Sequence, residues 1–473
     1  MKYRITKTLF SLIATFSLAS CASNDAAKIN IKEKGEYAFL DGVKLDYEHA
    51  FFDDFSKGVN PDSWYICKSA WGDGNGGVIP DNVMYTDDGI LVLRGNGLYY
   101  SQTELVGIGD LTDGRNTGGV LISTFNVGPG HYESKFKPLP RLGSCTAFWT
   151  FANKYVEGDN ASLNHEIDIE MPGGASMGVP SFKRILDTNW TKENAKDSTD
   201  VILSEGTNGK VTNLNDGNYH VFGFDWYTNP KLVVYYIDGV ITRISDIDSL
   251  IPTLTGKLWI GNWFPTSFVG RASFETDYML VDYVSYVPFL DQPSDFYSPD
   301  VSTQIATKDE YPTYPVALPV SNYASNGDFE FFDRLNTQND YGWEYSKLNV
   351  EQKPVEDLVY LEKGVGYLGT VGAVIKDGGI LSERVDSVYE GMKYNVNFKA
   401  KSTSSTSALI IDFLNGSNDI ISSQYFYISS NSLTDFSGQF TAPEGTNCID
   451  ITICNETGVS QTTVIDNIVL SRV

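Results

Sequence analysis

The chemistry most directly legible in this sequence sits in three carboxylates. Residues 164–173 read Asn-His-Glu-Ile-Asp-Ile-Glu-Met-Pro-Gly, so Glu166, Asp168 and Glu170 alternate with Ile167 and Ile169. A β-strand has a side-chain period of two, which sends all three acids to one face and both isoleucines to the other. Like charges on neighbouring same-face positions repel, so at least one pKa is expected above its ordinary value. Solvated strand faces usually mix Thr, Lys and Glu; three acids in unbroken alternation point instead to a site. Four residues of strand separate the Glu166 and Glu170 Cα atoms by about 13 Å at ~3.3 Å per residue. Each glutamate can lean about 4 Å toward the other over three bonds of ~1.5 Å. Roughly 5 Å then remains between carboxyl groups, the separation of a retaining rather than an inverting glycosidase. One glutamate would attack an anomeric carbon; the other, held protonated, would protonate the leaving oxygen and later activate water. Asp168 can bond to one of them and help keep the two pKa values apart. Calcium binding, the other common use of such acids, prefers a tight loop with carbonyls and Gly to a flat strand.

The elements that must position this strand are themselves strands. Gly89-Ile-Leu-Val-Leu-Arg94, His131-Tyr-Glu-Ser-Lys-Phe-Lys137, Val221-Phe-Gly-Phe-Asp-Trp226 and Leu232-Val-Val-Tyr-Tyr-Ile-Asp-Gly239 alternate or run β-branched and aromatic. Helical periodicity is almost absent, and 43 Gly with 18 Pro imply frequent turns. The length, 473 residues, suggests two or three domains. Residues 46–290 suit one large β-jelly roll. Residues 291–320 carry Pro293, Pro299, Pro312, Pro315 and Pro319 among polar residues and read as a semi-rigid linker. Residues 321–473 resume a strand pattern and are long enough for a smaller β-sandwich with its own core.

Composition narrows the partners. Acidic residues outnumber basic ones 60 to 35, with a net charge of −25, whereas nucleic acid demands a dense cationic footprint. An acidic surface suits a neutral ligand, and the abundant rings (28 Tyr, 26 Phe, 8 Trp) serve both sheet packing and stacking on sugars. Lys2, Arg4 and Lys7 precede a short apolar run from Leu9 to Leu18, too short for a bilayer span of roughly 20 residues. Residues 1–20 therefore read as a signal peptide. Its end, Leu18-Ala19-Ser20-Cys21, resembles a bacterial lipobox with Cys21 as the lipidated residue, followed by a polar tether over 21–45. The expectation is an outer-membrane lipoprotein of a bacterial envelope, exposed outward, touching the membrane only through its lipid, and monomeric. Cys67, Cys145, Cys448 and Cys454 are too few and scattered for a disulfide scaffold or a Cys-rich zinc site. Cys448 and Cys454 lie about 20 Å apart along a strand, too far to bridge; a Cys67–Cys145 disulfide stays open. The four histidines show no metal-ligand spacing, and no cofactor is expected for catalysis.

Glu166-Ile-Asp-Ile-Glu170 resembles the signature of glycoside hydrolase family 16, in its form without an extra bulge residue. Gly130-His-Tyr-Glu-Ser-Lys-Phe-Lys137, Ala147-Phe-Trp-Thr150, Asn218-Tyr-His220, Phe224-Asp-Trp226, Tyr235-Tyr-Ile-Asp-Gly239 and Val281-Asp-Tyr-Val-Ser-Tyr286 resemble its other strands in order. The resemblance implies an all-β, concanavalin-like jelly roll with a concave cleft and endo-cleavage of β-1,3 or β-1,4 linkages in a polysaccharide. It further implies Glu166 as nucleophile, Glu170 as acid/base and Asp168 as helper. Trp149, Trp190 and Trp263, with Asn262, are the candidate sugar contacts, and the Gly-rich loop 71–80 would present Trp71 and Asn75 at the cleft edge. Lichenase-type members carry Glu-x-Arg on a strand where Val120 and Ile122 stand here, which leaves laminarin-type glucans and galactans open. The loop at Asn75 and His165-Glu-Ile-Asp-Ile-Glu170 are also similar to endo-β-galactosidase-like members acting on host or algal glycans; Arg115 or Arg271 could serve an anionic sugar. The rival class is a non-catalytic glycan-binding lipoprotein of the same fold.

Asn326-Gly-Asp-Phe-Glu330, Trp343 and Val464-Ile-Asp-Asn-Ile-Val-Leu470 resemble carbohydrate-binding modules of families 4 and 22. That resemblance implies a structural calcium held with Asp328, Glu330 and Asp466, and stacking by Trp343, Tyr345, Tyr367 and Tyr425.

Overall fold

The computed structural model describes residues 42–70, 76–100, 116–157, 162–173, 182–330, 339–340, 342–348, 353–404, 406–455 and 460–473. The leader, Cys21, Trp71, Asn75 and Arg115 lie outside the described residues. Four antiparallel sheets make two sandwiches, so the chain is all-β as its patterning predicts. Among the described residues no helix is long and apolar enough to cross a membrane.

One seven-stranded sheet of the first sandwich positions the carboxylates. Its strands in chain order are β1 (Trp64–Ile66), β2 (Gly119–Ser123), β3 (Cys145–Lys154), β4 (Leu163–Pro172), β5 (Arg184–Lys192), β6 (Ala195–Ile202) and β7 (Lys257–Trp263). Across the sheet the order is β6-β5-β4-β3-β7-β2-β1. The acid-bearing strand β4 pairs with β3 from Cys145↔Pro172 to Lys154↔Leu163, and with β5 from Glu166↔Trp190 to Glu170↔Leu186. Its Ile167 and Ile169 are fully buried in the core with Phe148, Leu258 and Ile260 of the same sheet. Tyr132, Phe136, Phe222, Phe224 and Val281 of the second sheet close that core from the other side. Burying each isoleucine contributes about 1.5–3 kcal/mol. That burial fixes the register, because a one-residue slip would carry all three carboxylates into the core.

Residues 291–320, expected to be a linker, lie along the first sandwich as an anchored strap. Lys68 N donates to Gln304 O (2.8 Å) and Ala306 N to Ile66 O (2.8 Å), extending the β1 edge of the sheet. The Tyr311 hydroxyl donates to Trp64 O (2.9 Å) and accepts from Ile66 N (3.1 Å), while Val316 N donates to Tyr85 O (2.8 Å).

The second sandwich packs a six-stranded against a five-stranded sheet around its own core, which includes Trp343, Tyr345, Phe398, Ile451 and Ile465. Trp343 and Tyr345 are therefore core residues and not stacking platforms, whereas Tyr367 and Tyr425 are exposed. Glu330 accepts from Val371 N, Asp328 from Glu330 N, and Asp466 from the N–H groups of Tyr367 and Asn467. Each of the three acids expected to hold calcium thus also accepts from backbone N–H groups. Among the described residues no three His, Cys, Asp or Glu side chains converge as a metal-ligating group.

A buried ion pair of the first sandwich anchors the chain that leads into the second. Arg141 Nε lies 2.6 Å from Asp277 Oδ2, both side chains almost wholly buried. Arg141 Nη2 donates to Asn322 O (2.8 Å), its guanidinium stacks 4.0 Å above the Tyr323 ring, and Ser321 Oγ donates to Asp277. Arg472 lies 5.9 Å from the same Tyr323 ring, and its Nη2 donates to Asn215 Oδ1 (2.6 Å). Removing one partner strands a buried charge, so Arg141→Leu is expected to cost about 3–5 kcal/mol in urea unfolding, and Arg141→Leu/Asp277→Leu distinctly less.

Candidate active site

The outward face of β4 opens into a cavity of about 330 Å³ lined by Glu166, Asp168 and Glu170. Trp149 and Phe151 of β3 and Trp259 and Trp263 of β7 supply its aromatic walls, and Ser69 and Gln304 its far end. Trp149 stacks on Trp259 with ring centroids 5.5 Å apart and planes at 23°. The pleat dictates the set. Glu166 pairs with Phe151, Asp168 with Trp149 and Glu170 with Ala147, so each carboxylate faces outward beside a β3 residue doing the same.

The two glutamates have different partners. Asn164 Nδ2 donates to Glu166 Oε2 (2.8 Å). Cys145 Sγ lies 3.6 Å from Glu170 Oε1, a thiol donor weaker than an amide. Asp168 accepts from Trp190 Nε1 at 3.0 Å. Burial pushes both glutamates up to about 7; Asn164 and Asp168 oppose the rise at Glu166, while the Glu166 charge adds to it at Glu170. Asp168 rises well above the carboxylate range, first from burial and then from the charges of Glu166 and Glu170. In its bond to Glu166 it favours the ionised form of that neighbour. Burial also keeps the Cys145 thiol protonated.

Of the sequence candidates, Trp149 and Trp263 line the cavity beside the triplet, and Trp190 reaches it through its bond to Asp168. Asn262 does not belong there. It alternates with Trp263 along β7, is fully buried between the sheets, and donates to Leu93 O (3.0 Å). Arg271 lies in a groove between the sandwiches with Arg141 and Arg384. His165 accepts from Thr253 N (2.9 Å), and burial lowers its pKa to about 4, so it is a neutral structural residue. Cys67 and Cys145 are buried and not joined in a disulfide. Sequence reasoning missed Trp259, Phe151, Cys145 and Asn164. Counting by two from Trp149 and Trp263 finds the first three; Gln304 carries no local signal.

Residues 81–280 match the model of Glycosyl hydrolases family 16. A beta-glucanase of Paenibacillus polymyxa is 28% identical over 178 residues, covering 34% of this chain and 62% of that protein, so the chain spans less than two thirds of this relative. Among solved structures, the Bacillus licheniformis beta-glucanase is 20% identical, with 51% of this chain and 99% of that one covered at a TM-score of 0.37. The laminarinase catalytic domain of Thermotoga maritima is 18% identical, with 52% and 98% covered at 0.40. The chain thus carries a glycoside hydrolase family 16 domain over residues 81–280, with an additional C-terminal β-sandwich.

A hydrogen bond donated to a carboxylate stabilises its ionised form. Cys145→Ala is therefore expected to raise the Glu170 pKa further while leaving Glu166 less affected, as read from ¹³C carboxyl shifts across a pH titration.

Proposed function

We propose that the chain is a retaining glycoside hydrolase acting on a β-1,3- or β-1,4-linked glucan by double displacement. The observation that carries this reading is the unequal hydrogen bonding of two otherwise similar glutamates. Glu166, with an amide donor and the Asp168 proton, is the one that favours ionisation and attacks the anomeric carbon. Glu170, with only a thiol donor and the Glu166 charge against it, is the one that keeps its proton for the leaving oxygen. Once the glycosyl–Glu166 ester forms, the Glu166 charge is gone. The ionised Glu170 then takes a proton from water, which attacks the anomeric carbon and breaks its bond to Glu166, freeing the sugar and the Glu166 carboxylate. Trp149 and Trp259 offer flat faces for sugar C–H groups. The glucan assignment draws on the beta-glucanase name of the Paenibacillus polymyxa relative. The basic N-terminus and Leu18-Ala19-Ser20-Cys21 support a lipid anchor at a bacterial envelope.

The intact acid triplet weighs against a purely glycan-binding role, because binding alone needs no pair of one ionised and one protonated glutamate. Incubation with laminarin, mixed-linkage glucan, xyloglucan, agarose and mucin-type galactans should release oligosaccharides from a β-glucan, with retained anomeric configuration by NMR. Glu166→Gln should abolish release with folding intact, and Glu170→Gln should lower kcat by about 10²–10⁴-fold. With both glutamates at about 7, kcat/KM should follow a narrow bell centred near neutral pH. Its acid limb would be set by Glu166 and its alkaline limb by Glu170. Binding without release, or inverted products, would overturn the reading.

A further inference from the structure

Among the described residues the cavity is closed on the β2 side. Running across the sheet from the carboxylates, the outward rows are Asp168–Trp149–Trp259–Ile122 and Glu170–Ala147–Gly261–Val120. Trp149 and Trp259 keep a small exposure into the cavity (7% and 3%), whereas Val120 and Ile122 on β2 have none and do not line it. The strap covers them. Val301 and Ile305 join Val120, Ile122, Cys67 and Val78 in one apolar cluster with Trp149 and Trp259. Gln304, between Val301 and Ile305, lines the cavity where the cluster begins.

The strap is built in rather than resting on the surface. Its backbone extends the β1 edge through Gln304 O and Ala306 N, and Ala306 enters the main core between the sheets. The Lys68–Glu310 pair and Tyr311 hold its far side, and the Tyr297 hydroxyl bonds Asn153 O (2.8 Å) on its near side. On the opposite flank of β4, Lys196, Ser198 and Thr199 of β6 are exposed and Trp190 is half-buried. Among the described residues the plug thus stands on the β2 side.

We propose that this strap ends the sugar-binding cleft about two sugars from the cut bond, making Gln304, Val301 and Ile305 determinants of product length. From β4 to β7 the cavity-lining floor spans two strand spacings, about 10 Å. A β-linked hexose advances the chain by roughly 5 Å, four bonds of ~1.5 Å projected on its axis. Beyond β7 the strap occupies the path. The Gln304 amide meets the hydroxyls of the terminal unit, and the rest of the polysaccharide leaves over β5 and β6. This inference rests on the glycanase reading and restricts the choice of bond within it: cleavage falls near one chain end and releases short oligosaccharides of one length.

The test uses the full chain on whichever polysaccharide of the panel it cuts. Products are followed from the earliest conversion, and oligosaccharides of that linkage, labelled at the reducing end and increasing in length, are followed beside them. The expected result is a dominant product of about two sugars and a cut position fixed relative to one end as the substrate lengthens. The label shows which end that is. In Gln304→Gly/Ile305→Gly the cut should spread to positions farther from that end and products should lengthen. A broad ladder from the wild type at the earliest times, with cut positions moving freely along the oligosaccharides, would overturn the inference and leave the glycanase reading standing. Release from no polysaccharide at all would overturn both. The wild-type cut position decides the matter even where the strap variant fails to fold.

Discussion

Three like-charged groups held on one face of one strand, out of water, are the constraint around which the first sandwich is organised. The pleat that brings Glu166, Asp168 and Glu170 together also makes them repel, and burial makes each ionisation costlier. A carboxylate raised from 4.5 to about 7 leaves stability fully present below its unfolded pKa and lost as pH rises through the folded one. For a single such glutamate the loss is on the order of 3 kcal/mol above neutral pH. That cost is met by the core on the other face of the strand, where Ile167 and Ile169 are anchored, and by ladder pairing to β3 and β5 on both edges. A site with this much internal repulsion cannot sit at a sheet edge; it needs neighbours on either side.

Most of this was legible from the sequence because it follows from a period of two. Alternation identified β4, its inward isoleucines and its outward acids without any tertiary information. The same rule, applied to β7, separates Trp263 from Asn262 and pairs Trp263 with Trp259. Asn262 was expected in the cleft because it adjoins a tryptophan in sequence, although strand neighbours face opposite sides. Trp343 and Tyr345 went the same way: a ring can stack or fill a core, and only the second sheet of the sandwich, which buries them, decides.

The strap was illegible for a different reason. Its prolines and polar residues have the composition of a spacer, and nothing local distinguishes a free spacer from one laid along a surface. What fixes residues 304–306 is an unpaired strand edge at Ile66–Lys68, more than 230 positions earlier in the chain, together with a hydrophobic patch at Val120 and Ile122 that needs cover. Those valine and isoleucine positions were visible in the sequence as a departure from the Glu-x-Arg of lichenase-type relatives. The structure gives that departure a physical sense: polar side chains there would be buried beneath the strap without water, and apolar ones pack against it.

These features bear on one another through the cavity's electrostatics. A cavity with one closed side admits less water than an open groove, and lower water content strengthens the coupling among the three carboxylates. The strap that closes the β2 side therefore also helps keep water from the carboxylates whose roles are proposed above. The Arg141–Asp277 pair acts on the other flank of the fold, locking the segment just beyond the strap, from Ser321 to Tyr323, against the first sandwich. The strap is thereby tied at both ends, by Tyr297 and the β1 edge before it and by this buried pair after it. The proposed product length and proton placement would then both follow from one arrangement, a proline-rich segment tied at both ends beside the carboxylates it borders.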